Sequence, residues 1–230
     1  MRQDEAARRV AAAALWLAEA VETGNPLAPF PPGLMPRDDA EGEAIAAAIL
    51  DHMGMPTAGL RIGPEGVAGP VLAPRLLADG AMLALSALRH ARATPALVAV
   101  LGADLGETGP PVFAGLHPAI DIAASRFRDG PADAACLAAD LAGLGLIVAG
   151  RRRPMPAGPL RLTIDGRRQG VVDAMAALAP AVAAAQRLGG LPAGAVLIVA
   201  GLTPARIPEA GAWLGIGFGA ALGRVKAGFA

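Results

Sequence analysis

The residues best placed to do chemistry lie in one stretch, 91–126, ARATPALVAVLGADLGETGPPVFAGLHPAIDIAASR. It reads as two strands joined by a loop. Side chains of a strand alternate between faces, so positions 117, 119, 121, 123 and 125 share one side. That face gathers His117, Asp121 and Ser125 and sends Arg126 to the other. A carboxylate with an imidazole and a hydroxyl can move protons on a small polar substrate. Asp121 and Arg126 read equally well as an ion-paired scaffold. His117, before Pro118 at a strand start, also reads as a partly exposed loop histidine.

Other chemistry is sparse. The single cysteine, Cys136, sits in an alanine-rich segment with no basic neighbour and reads as a buried, inert thiol. It leaves no internal disulfide and no CxxC metal motif. Tyrosine is absent, and Ser86, Ser125 and the three histidines have no triad spacing. Gly215, Gly217 and Gly219 break the dinucleotide fingerprint at Ala220. Arg151, Arg152 and Arg153, ahead of Pro154, read as a solvated loop.

The elements that must carry these residues follow from composition and spacing. Of 230 residues, 54% are hydrophobic and 17% charged, which implies an ordered core. Formal net charge is zero, so no overall field draws nucleic acid or an anionic membrane. The opening MRQDEAARRV lacks signal-peptide character, and the charge-free run 188–205 is broken by Gly and Pro. These features predict a soluble cytoplasmic protein with neither nucleic-acid nor membrane partners.

Residues 4–23 predict a helix with an apolar stripe of Val10, Ala13, Ala14, Trp16, Leu17 and Val21, stopped by Gly24 and Asn25. A proline-rich connector spans 26–36, and a second helix about 38–53. After Pro56, short apolar runs divided by Gly and Pro predict strands at 58–63, 70–74, 81–85, 96–101, 144–149, 159–165 and 195–200. Residues 131–143 read as a short helix or a loop, 165–170 as a turn, about 172–188 as a helix, and the end as a closing hairpin. Two helices, many strands and one interior helix make an α+β order, not a repeating βαβ one.

In this order the chain resembles the 2-keto-4-pentenoate hydratase / oxalocrotonate decarboxylase family of the fumarylacetoacetate hydrolase superfamily. AGLRIG (58–63) is similar to the family's G-x-K-x-G-L-T, with Arg61 in the lysine's place. AGPVLAP (68–74) is similar to F-G-x-L-x-x-D, with Pro74 for the acid. ARATPALVAVL (91–101) aligns on P-R-I-E-A-E-I-A-L-V-L, with Thr94 and Ala96 at the two glutamates. PAIDIAASRFRD (118–129) is similar to P-A-L-E-V-V-x-S-R-I-R-D, with Asp121 for the third carboxylate and Ser125 and Arg126 matched. ADLAGLGLIVAG (139–150) keeps the Asp of A-D-N-A-S, and AVLIVAGLTPA (195–205) keeps Leu202 and Thr203 of I-I-L-S-G-S-L-T.

The resemblance implies a fumarylacetoacetate hydrolase-like mixed β-roll core, residues 57–230, behind an N-terminal helical segment, residues 1–56. It implies a lyase, hydratase or decarboxylase, acting on a small 2-keto acid or related carboxylate. The family stabilises an enolate with Mg²⁺ or Mn²⁺ held by carboxylates, as a hard cation requires. With one of three carboxylates left, the expectation is no tightly bound metal, or Mg²⁺ or Mn²⁺ only if Asp121 partly retains the site. The reaction would then use Asp121 as acid/base with His117 beside it. Arg61, Ser125, Thr203 and Thr94 would bind the substrate. The alternative is a non-catalytic paralogue serving as a binding or partner subunit. A homo-oligomer is expected, or a hetero-complex with a related enzyme.

Overall fold

In the computed structural model, residues 2–23 and 25–230 are described, with the backbone alone at 2 and 3; the expected helix stop at Gly24 lies outside the described residues. Helix α1 (Arg2–Thr23) and helix α2 (Asp39–Met53) form where the apolar spacing places them. Asp38 caps α2, its side chain accepting from the Glu41 amide at 2.8 Å. The connector between the helices is pinned by a bridge from Leu27 to Phe127, and Trp16, Phe30 and Phe127 stack around it with ring centroids 5.0–6.3 Å apart.

Twelve strands follow: β1 (Thr57–Ile62), β2 (Ala68–Leu72), β3 (Leu76–Ala78), β4 (Met82–Leu83), β5 (Arg92–Leu101), β6 (Phe113–Ala123), β7 (Leu144–Ala149), β8 (Leu160–Ile164), β9 (Arg167–Val172), β10 (Val196–Val199), β11 (Trp213–Gly217) and β12 (Arg224–Phe229). Short α3 (Ala134–Ala139) precedes β7, α4 (Ala174–Arg187) precedes β10, and a turn, α5 (Gly219–Leu222), lies between β11 and β12. The strands make a seven-stranded sheet, ordered β2-β1-β10-β5-β6-β7-β3, and a five-stranded one, ordered β4-β12-β11-β8-β9. Parallel and antiparallel pairs mix in both. This is the expected α+β class.

The large sheet is apolar on both faces. One face, with Ala96, Val98, Ala119, Ile147 and Ile198, packs under α1, α2 and α3. The other, with Leu97, Ile120, Ile122 and Val148, meets the small sheet through Leu162, Ile216 and Val225. Helix α4 covers that same face further along, setting Ala181 and Ala184 on Leu60 and Leu197. A strand buried on both sides loses the alternation of a half-buried one, which is why β5 reads as a continuous apolar run.

Two expectations shift. Residues 165–170 are not all turn: Asp165 and Gly166 alone turn the chain, both at positive φ (49° and 76°), and β9 begins at Arg167. The interior helix starts later than position 172, at Ala174, capped by Asp173. No helix among the described residues is long and apolar enough to cross a membrane.

Candidate functional site

The sheet brings the expected centre together. Thr94 and Asp121 are cross-strand partners on β5 and β6, and Ala96 faces Ala119 two residues along. Arg61 reaches the same face from β1, across β10 and β5. Its guanidinium lies against Asp121 in a two-pronged contact: Nε donates to Oδ1 and Nη2 to Oδ2, each at 2.6 Å. Nη1 donates to the Ala142 carbonyl at 2.7 Å. Arg61 is 0% exposed and Asp121 1%. Planar guanidinium and carboxylate fit in this fork-to-fork manner, and charge assistance shortens the bonds.

The Ala142 carbonyl is where Arg61 needs it because the backbone there is unusual. Leu141 and Ala142 both take left-handed φ, 53° and 51°, which costs a residue with a Cβ about 1–2 kcal/mol. A second arginine secures the same turn. Arg126 pairs through Nε with Asp140 at 2.8 Å and donates from Nη2 to the Asp140 carbonyl and from Nη1 to that of Leu144. Ser125 Oγ donates to Asp140 at 2.9 Å. Burial pushes the Asp140 carboxyl above the usual carboxylate range, against the pull of Arg126.

Strand β6 ends at Ala123, so the expected grouping of His117, Asp121 and Ser125 on one face does not extend to Ser125. Ser125 and Arg126 converge on Asp140 instead of parting. His117 stands opposite Val98, half-buried, its Nδ1 2.8 Å from the Gly150 carbonyl. Thr94 Oγ accepts from the Gly201 amide at 3.0 Å, and Thr203, in the loop beyond β10, bonds only the Pro204 carbonyl at 3.3 Å. Sequence reasoning overlooked Asp140 as a partner for Ser125 and Arg126, and the Ala142 carbonyl. For Asp140 the available signals were its match to the Asp of A-D-N-A-S and its place as a lone acid in the apolar run 134–149.

Cys136 is buried, its thiol pushed up to about 11 by burial and then by Asp133.

This donor set does not suit a hard divalent cation. Ala96 offers no oxygen, Thr94 is neutral and already bonded, and both Asp121 oxygens are engaged by a cation. Among the described residues no cluster of three or more His, Cys, Asp or Glu is placed to hold a metal.

No family model and no curated protein sequence matches the chain. Solved structures do. The 4-oxalocrotonate decarboxylase of Pseudomonas putida G7 is similar over 97% of this chain and 98% of its own at 18% identity. Its TM-score is 0.78 in complex with calcium and acetate and 0.79 with magnesium and adipate. The fumarylpyruvate hydrolase of Pseudomonas aeruginosa, in complex with Mn²⁺ and pyruvate, is similar over 70% of this chain and 77% of its own, at 18% identity and a TM-score of 0.53. The chain therefore has the fumarylacetoacetate hydrolase-type fold, and over nearly its whole length the arrangement seen in 4-oxalocrotonate decarboxylase.

Proposed function

We propose that this protein keeps the shell of a small-carboxylate lyase and serves as a binding or partner subunit, without metal-dependent turnover at the inherited centre. The observation that carries the reading is the Arg61–Asp121 pair. Solved neighbours hold calcium, magnesium or Mn²⁺ together with acetate, adipate or pyruvate. In this chain the positions that resemble the family pattern's carboxylates are Thr94, Ala96 and Asp121, and a guanidinium of the chain itself lies on the last of them. A general base needs a free lone pair within reach of substrate. Each Asp121 oxygen already accepts a charge-assisted bond from Arg61, and the group has almost no exposed surface through which a substrate could reach its remaining lone pairs. Arg61, likewise, cannot clamp an incoming carboxylate while it clamps Asp121. The same proposal includes assembly with further copies of itself, or with a catalytically competent relative of the same fold, and a cytoplasmic setting.

Calorimetric titration with Mg²⁺ and Mn²⁺ tests it, alongside turnover assays on a panel of 2-keto acids. No stoichiometric binding in the micromolar range and no turnover are expected. The lyase reading wins if a 2-keto acid is turned over and Arg61→Ala or Asp121→Asn abolishes that turnover.

A further inference from the structure

We propose that the cavity between the end of α1 and the turn after β6 binds a small oxyanion, a carboxylate or a phosphate, with Arg75 as its principal contact. The cavity encloses about 250 Å³. Arg75, Arg89 and Arg126 line it with Ser86, Ser125 and Asn25, and none of its described lining residues is acidic. With Arg126 balanced by Asp140, Arg75 and Arg89 remain as two guanidiniums beside one small space with no acid in its described lining, a local excess of positive charge.

The three differ in what they are free to do. Arg126 is spent on Asp140 and two carbonyls, so it forms a fixed wall. Arg89 is exposed at the rim. Arg75, at the end of the 3-10 turn Ala73–Arg75, is half-buried. Among the described residues no carboxylate lies within ion-pair distance of it and no acceptor takes its N–H groups. Burial and the charge of Arg126 both make its proton easier to lose. An unpaired cation taken out of water and set near a like charge is costly, and an anion arriving between them removes both penalties. Five N–H donors in a planar fork suit a carboxylate or phosphate. Ser86 and Asn25 add neutral donors at the edge. A space of this size admits a molecule of few heavy atoms, below the drug-sized range. Arg61 and Asp121 do not line it, so the site stands whether or not the inherited centre is active.

The experiment is calorimetric titration of the whole protein with inorganic phosphate, acetate and oxalate, with choline chloride as a cationic control. Saturable binding of one anion per chain is expected, and the arm that binds most tightly names the source. Arg75→Gln should weaken it at least tenfold and Arg75→Lys less, while Arg151→Gln, an exposed charge elsewhere, should leave it unchanged. Circular dichroism establishes that each variant is folded, and Arg89→Gln, at the exposed rim, gives a second reading of the site. The proposal is overturned if no anion binds up to about 10 mM. It is equally overturned if folded Arg75→Gln binds like the parent, or if Arg151→Gln loses as much as Arg75→Gln.

Discussion

Arg61 has no exposed surface, so its charge is balanced from inside the protein or not at all. Removing one partner of such a pair strands a buried charge, at a cost of roughly 3–5 kcal/mol. Asp121→Ala is expected to lower unfolding free energy by about that much in urea titrations. The double replacement Arg61→Met with Asp121→Leu should recover most of the loss, because two apolar groups leave nothing stranded. Cys136 gives a second residue-level expectation. Its thiol holds its proton to about 11 in the native state, above its ordinary 9.0. Between those values the unfolded chain releases the proton first, so stability should fall as pH rises from about 9 to about 11. The slope is at most about 1.4 kcal/mol per pH unit, and it should vanish in Cys136→Ser. With no tyrosine and one lysine, the chain has few other groups titrating there. The native thiol should also ignore Ellman's reagent at pH 8 until the protein unfolds. Arg61 and Asp121 both stand out in the sequence as charges within apolar runs. That they meet, 60 residues apart, is not legible there, because the pairing depends on the order of strands in the sheet.

At the scale of elements, α2 and α3 pack so closely that a side chain at Gly42 has no room. A Cβ there would stand 2.3 Å from the Ala135 carbonyl oxygen. Alanine is the better helix former by about 1 kcal/mol, yet Gly42→Ala is expected to destabilise, since one helix must back away from the other. Thermal unfolding gives the sign directly. The helices were legible from their spacing, and so were most core strands from their apolar runs. Strand β9 was not: RRQGVV is polar and largely exposed at the sheet's edge, without the alternation that marks a half-buried strand. Its neighbour signalled the hairpin through Asp165-Gly166, since both residues of a tight primed turn need positive φ and such pairs tolerate it.

For the molecule as a whole, α1 and α2 roof one face of the large sheet. Ala13, Leu17, Ile45 and Ile49 share a core with Ala96, Ala119 and Ile198. Deleting residues 1–53 should uncover that face and give an aggregating product, read by size-exclusion chromatography; a monomeric, cooperatively folding remnant would show that the strands stand alone. The α+β class was legible from the order of elements, since strands grouped after two helices do not repeat a βαβ unit. The candidate centre was legible only as Thr94, Ala96 and Asp121 at positions where the resemblance expects carboxylates, because residue types alone do not tell which side chain packs against them.

The Leu141–Ala142 turn has one more consequence. It is tied down by a cation that is covalently part of the chain, and a tethered ion cannot wash out. Dialysis against EDTA is therefore expected to leave the melting temperature where it was, and the protein should mature at the same rate in metal-starved and metal-replete cells. The positive charge that holds this turn is made with the chain and arrives with it at folding.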